Sequence, residues 1–156
     1  MVVELQLCTF FLNGLFFGID VQHVQEVIRP QGVTRVPLAP PDICGLINLR
    51  GQILTVIDLQ QRLEMGESAM RSTTKLIDEL EGFNIVVRSS DQVVSLLVDD
   101  VGDVLALPKN TVQPPPATLK GKMRQMLAGA YPLPEGFLLI LDIEKILDLN
   151  FRSSFI

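Results

Sequence analysis

Two stretches of the chain repeat one plan in the same order, and this repetition restricts the possible fold more than any other feature. Ile53 to Leu63 (ILTVIDLQQRL) matches Phe137 to Leu147 (FLLILDIEKIL): an apolar run suited to a strand, an aspartate placed to cap, then a short amphipathic helix. Val24 to Ile28 (VQEVI) matches Val101 to Leu105 (VGDVL), an apolar-x-acid-apolar-apolar unit that follows a hydrophobic strand. Residues 5–63 and 83–147 therefore read as two copies of one unit within a single domain spanning 1–156, with a polar, acidic connector at 64–82. Each copy holds about five short strands, few helical residues and frequent turns, which favours small barrels over sandwiches.

Local signals place the elements. Asn13-Gly14 between Leu5–Leu12 and Leu15–Ile19 predicts a hairpin, because a type I′ turn needs two residues tolerant of positive φ. Asp20 is placed to cap a short helix whose apolar positions Val21, Val24, Val27 and Ile28 recur at three- and four-residue intervals until Pro30 stops it. Cys44–Leu49 and Gln52–Ile57 read as strands around Arg50-Gly51, and Asp58 caps a helix at Leu59–Leu63. Within the connector, Leu76, Ile77 and Leu80 allow one helical turn. Strands resume at Phe83–Val87, Val93–Val98 and Val101–Leu107, and Leu119–Ala128 reads as a short helix or an irregular link. Phe137–Leu141 is a buried strand, with Asp142 capping a closing helix at Ile143–Leu147.

The 156 residues suffice for one domain or two small ones, and a composition 47% hydrophobic and 20% charged excludes global disorder. Thirteen Lys and Arg against 18 Asp and Glu leave a net charge of −5, which repels a phosphate backbone, so no nucleic-acid partner is expected. Cys8 and Cys44 sit in apolar runs, where a thiol packs as a small hydrophobe, and their spacing fits neither a disulfide framework nor a zinc site. No basic segment precedes the first apolar stretch, and no apolar run reaches the ~18 residues of a membrane span. A protein of the reducing cytoplasm, without membrane insertion, is the expectation.

Catalytic machinery is sparse. His23 is the only histidine, and with Asp20 three residues before it, it forms the one candidate acid–base pair, the basis of a small-hydrolase alternative. Gly14, Gly18 and Gly45 lack the spacing of a phosphate-binding loop. Asp99, Asp100 and Asp103 read as a solvated acidic edge, since a hard cation wants more converging oxygens. Lys120, Lys122 and Arg124 form a basic patch too short for a nucleic-acid groove, suited instead to local ion pairing. Met123 and Met126 fit a core, or an adaptable contact. No cofactor and no metal are expected.

The segment Gly45-Leu46-Ile47-Asn48-Leu49-Arg50-Gly51 through Leu59 closely resembles the G-x-x-N-L-R-G-x-x-x-P-V-I-D-L signature of the CheW family, the chemotaxis coupling proteins. Gly18-Ile19-Asp20 with Val24–Ile28, the run Val94–Leu105, and Leu139–Leu147 match further family segments in order, so the resemblance covers nearly the whole chain. It implies a mainly β fold of two five-stranded barrels of the Src-homology-3 type packed around a shared hydrophobic core, with short helices. It also implies a cytoplasmic adaptor without enzymatic activity, recruited to receptor arrays at the inner face of the membrane. Such a protein bridges the tips of methyl-accepting receptors to the regulatory domain of the histidine kinase CheA. A stand-alone peptide-binding module of the same family in another signalling pathway is the alternative. Thr55 replaces a proline of the signature, Ser95 stands where glycine is usual, and the 64–82 connector is long.

Carried over by position, Arg50 and Glu26 are the charged residues implied in coupling, and Asn48, Gly51, Val27 and Ile28 complete the partner-binding set. An arginine on a rigid hairpin turn loses little entropy on docking and can grip a carboxylate with two parallel hydrogen bonds. Alternatively, Arg50 pairs within its own chain with Asp42 or Glu26 and fixes the hairpin corner. Asn48 and Gly51 are suited to shaping the turn, and Val27 and Ile28 either line a groove or join the core.

Overall fold

The computed structural model describes residues 3–65 and 82–148. Among the described residues, ten strands form two five-stranded sheets. The strands are β1 (Glu4–Leu12), β2 (Leu15–Asp20), β3 (Val24–Ile28), β4 (Ile43–Leu49), β5 (Gln52–Asp58), β6 (Phe83–Arg88), β7 (Val93–Val98), β8 (Asp100–Pro108), β9 (Leu127–Leu133) and β10 (Gly136–Leu141). The helices are short: α1 (Leu59–Arg62), α2 (Gly121–Gln125) and α3 (Ile143–Leu147). The connector's expected helical turn at Leu76–Leu80 lies outside the described residues.

The first sheet runs β8-β1-β2-β10-β9 and the second β3-β6-β7-β5-β4. Each is a hairpin from one repeat completed by three strands from the other. Residues 5–63 and 83–147 are thus the two repeats but not the two sheets, because β2 finds its neighbour in β10 and β7 in β5. Both of these contacts are parallel, and parallel neighbours cannot be joined by a tight turn.

The repetition holds strand by strand. β3 and β8 are corresponding edge strands, and each carries a register shift, between Val24 and Glu26 in one and opposite Cys8–Phe10 in the other. β5 and β10 run alike into helices capped by Asp58, which accepts from the Gln61 amide, and Asp142, which accepts from the Lys145 amide, both at 3.3 Å. The Asn13-Gly14 turn has φ of 50° and 80°, the left-handed pair that its residues favour.

One expectation is corrected. The helix read over Val21–Ile28 is one 3-10 turn at Val21–His23 followed by strand β3. Its β-branched residues suit an extended edge, and the extra residue at the register shift breaks the two-residue alternation, leaving a spacing that mimics a helix. The link after Leu119 contains α2, and then β9, whose small residues and Pro132 conceal a strand from pattern reading.

Three apolar clusters hold the molecule. The largest lies between the sheets and takes Phe10, Leu12, Phe17 and Ile19 from one side, Ile85, Val87, Leu96 and Val98 from the other, and residues of α1 and α3 at its end. The other two fill the concave faces: Ile47, Leu49, Leu54, Val56, Val86 and Leu97 in the second sheet, and Leu7, Leu107, Leu138 and Ile140 in the first. Met126 is fully buried and Met123 packs against the shared cluster, so both serve the core. Burial of the apolar segments, worth roughly 25 cal/mol per Å² removed from water, is the main stabilising force. One buried polar tie reinforces it. Arg62 donates from Nε to Asp42 and from Nη1 to the Ile146 carbonyl at 2.5 Å, linking α1 to the chain before β4 and to α3.

Candidate functional site

Arg50 and Gly51 form a two-residue turn between β4 and β5, closed by the pairing of Leu49 with Gln52. Both have positive φ, 52° and 87°, so the turn is of the type whose twist matches the flanking strands. Asn48 stabilises it by accepting the Gly51 amide at 2.8 Å through Oδ1. Asn48 and Gly51 therefore shape the corner, and the side chain that leaves it is Arg50.

The guanidinium of Arg50 donates from Nη2 to Oε2 of Glu26 on β3. β3 and β4 are opposite edges of the second sheet, so this ion pair spans the open side of a curled sheet. Asp42 is not the partner, because it is already held by Arg62. The Arg50 side chain keeps 66% of its surface exposed, against 26% for Glu26, so pairing orients the guanidinium without sealing it. The hydrogen bond from Arg50 holds the Glu26 carboxyl below the usual carboxylate range, and the same bond raises the affinity of Arg50 for its proton.

Val27 and Ile28 part company. Val27 is exposed on the face of β3 opposite Glu26, paired across to Ile85, whereas Ile28 turns inward against the second sheet's own cluster. Ile53, at the start of β5 and paired across the hairpin with Asn48, is also exposed. The corner is thus a largely exposed cation–anion pair on a tight turn, with Ile53 exposed two residues beyond Gly51. Ile53 was not singled out from the sequence. The strand alternation that buries Leu54 turns it outward, and that was its only signal.

The other candidates have local roles. Asp20 and His23 line one cleft of about 460 Å³ with Lys109 and Asp142, but among the described residues no hydrogen bond joins them. Asp20 accepts the Gln22 amide at 2.9 Å, and His23 donates from Nδ1 to the Arg88 carbonyl at 3.0 Å. Asp99 accepts the Asn13 amide at 2.8 Å, and Asp100 that of Val101 at 2.9 Å. Arg124 binds the carbonyls of Pro115, Pro116 and Leu119 and so fixes the polyproline stretch, while Lys122 lies 3.7 Å from Glu64. Cys8 is buried, which pushes its thiol pKa up, and Cys8 and Cys44 form no disulfide. Among the described residues, no helix is long and apolar enough to cross a membrane.

Comparison with known proteins agrees with this geometry over the whole fold. A family model described as the CheW-like domain matches residues 6–151. The chemotaxis protein CheW of Treponema pallidum is 30% identical over 143 residues, covering 92% of this chain and 82% of that protein. The CheW of Klebsiella aerogenes is 34% identical over 139 residues, covering 88% and 78%. The crystal structure of the scaffolding protein TtCheW from Thermoanaerobacter tengcongensis superposes with a TM-score of 0.79 at 26% identity, over 97% of this chain and 92% of that one. With two repeats interlocked into paired sheets and an Asn-Leu-Arg-Gly turn joining β4 to β5, the chain belongs to the CheW-like domain family.

Proposed function

We propose that this chain is a non-catalytic coupling adaptor of a chemosensory pathway, joining the cytoplasmic tip of a methyl-accepting receptor to the regulatory domain of the histidine kinase CheA. The observation that carries the reading is the Arg50 corner: an exposed guanidinium, aimed by Glu26 and held on a rigid turn. Relatives named as chemotaxis proteins and a solved neighbour titled as a scaffolding protein support it.

The corner works as a pre-organised handle. Glu26 restricts the rotamers of Arg50 before any partner arrives, which lowers the entropy lost on docking. Only one of the guanidinium's donor groups is committed, so a partner carboxylate can bind beside Glu26 or replace it. Ile53, exposed two residues beyond Gly51, supplies apolar area near the turn.

The test is a titration of the purified protein with a receptor signalling hairpin and, separately, with a CheA regulatory domain. At least one should be retained by the parent, and Arg50→Glu should weaken that complex tenfold or more while lowering thermal stability only slightly, by the loss of one exposed ion pair. Retention of neither partner, or an unaltered affinity in the variant, would refute the reading.

A further inference from the structure

The cleft of about 460 Å³ that holds Asp20 and His23 is built by both repeats: Leu5, Asp20 and His23 come from the first, and Lys109, Ile140 and Asp142 from the second. Its volume falls in the range of small-molecule sites, roughly 300–1,000 Å³. The floor is apolar and preformed, because Ile140 is buried in the first sheet's own cluster and Leu5 and Val112 pack against that cluster. Arg50 and Glu26 do not line it, so it is separate from the corner described above.

Four polar side chains share this lining, and the fold commits only part of each. Asp20 uses Oδ1 to accept the Gln22 amide, and Asp142 uses Oδ1 to accept the Lys145 amide. Among the described residues neither Oδ2 has a hydrogen-bond partner. The Arg88 carbonyl can only accept, so Nδ1 of His23 carries the proton and Nε2 is left as an acceptor. Asp20, His23 and Asp142 are half-buried, and Lys109 is exposed. Lys109 makes no ion pair among the described residues, so its ammonium and the two carboxylates occupy separate parts of one lining.

We propose that this cleft binds a free basic amino acid. Asp20 and Asp142 hold the cationic end of the ligand's side chain, Lys109 holds its carboxylate, and its methylene chain lies over Leu5, Val112 and Ile140. Nε2 of His23 accepts an N–H of the ligand's α-ammonium. Two carboxylates against one ammonium leave the lining with an excess negative charge, which matches a ligand that carries one more cation than anion. A simple anion or a simple cation would use only one part of this lining, whereas a basic amino acid satisfies both with charge-assisted hydrogen bonds. The inference goes beyond the adaptor reading and does not depend on it.

The experiment titrates the full chain with L-arginine by calorimetry and follows backbone amide signals to locate the site. L-arginine should bind saturably with a Kd of about 1 mM or tighter. It should shift the amides of Gln22 and Lys145, which the two carboxylates hold. L-citrulline, of the same length but without the cationic end, should bind at least tenfold more weakly. Asp20→Asn and Asp142→Asn keep a capping oxygen, so each should retain the parent's melting temperature and weaken L-arginine about tenfold or more. Lys109→Gln should weaken L-arginine by a similar factor and leave agmatine, which lacks the carboxylate, at the parent's affinity. Absence of saturable binding up to about 10 mM overturns the inference. So does equal binding of L-citrulline, a shift of amides away from the cleft, an unaltered affinity in the Asp variants, or a Lys109→Gln loss that agmatine shares. The receptor and kinase titrations are separate measurements, so each reading stands or falls by itself.

Discussion

Removing the Arg62 guanidinium should cost far more stability than any change at the exposed Arg50 corner. The Arg62 and Asp42 side chains are 1% and 12% exposed, so this is a buried ion pair, and Arg62 also serves the Ile146 carbonyl. Arg62→Met leaves a carboxylate in an apolar site without its partner, a defect worth about 3–5 kcal/mol. For 156 residues the unfolding entropy near 60 °C is about 0.33 kcal/mol/K, so the melting temperature should fall by about 9–15 °C. The double variant Arg62→Met with Asp42→Leu removes both charges and should recover most of that loss. Calorimetry of the parent, the single and the double variant at pH 7 decides it. A shift below about 3 °C in the single variant, or a double variant no better than the single, would refute the view that the penalty comes from a stranded charge.

Other outcomes follow from the same contacts. In the first sheet Leu7 packs closely over Gly18, whereas at the corresponding places in the second sheet Asn84 and Ser95 are buried with side-chain polar atoms that have no hydrogen-bond partner among the described residues. Asn84→Leu combined with Ser95→Gly should therefore raise stability by about 1–2 kcal/mol in chemical denaturation, and a loss would contradict the equivalence of the repeats. Glu26 has its pKa lowered on folding, so its pairing contributes stability above the unfolded carboxylate pKa and loses it as pH falls through the folded value. The melting difference between the parent and Glu26→Gln should accordingly be small at pH 7 and shrink progressively as pH falls from the unfolded carboxylate range through the lower folded value, measured at constant ionic strength. Because neither repeat holds a complete sheet, fragments 1–65 and 82–156 should each be unfolded alone and regain β-sheet circular dichroism on mixing. A fragment that folds by itself would sink that reasoning.

Short-range chemistry was legible in the sequence. Asn13-Gly14 announced its hairpin, Asp58 and Asp142 announced their helices, and Arg50-Gly51 marked the corner, since each signal acts within a few residues. Matching the two repeats also found the corresponding strands β3 with β8 and β5 with β10. What stayed hidden depends on distant partners. The exchange of hairpins between repeats rests on β2 meeting β10, and nothing local in Leu15–Asp20 encodes that choice. The assignment of Glu26, and not Asp42, to Arg50 was settled by Arg62 having taken Asp42. The positive φ of Leu38, 60°, gave no warning, because Pro37 specifies a turn without specifying which turn.

The hairpin exchange also sets an order for folding on the ribosome. Every strand of the second sheet has been made once Val98 has been synthesised, but the first sheet must wait for β10, which ends at Leu141. At 5–20 residues per second that interval is roughly 2–9 s. Throughout it the opening hairpin, with Phe10, Leu12, Phe17 and Ile19, has no β10 to pair with, although β8 is complete at Pro108, and chaperone capture of the nascent chain should be concentrated there.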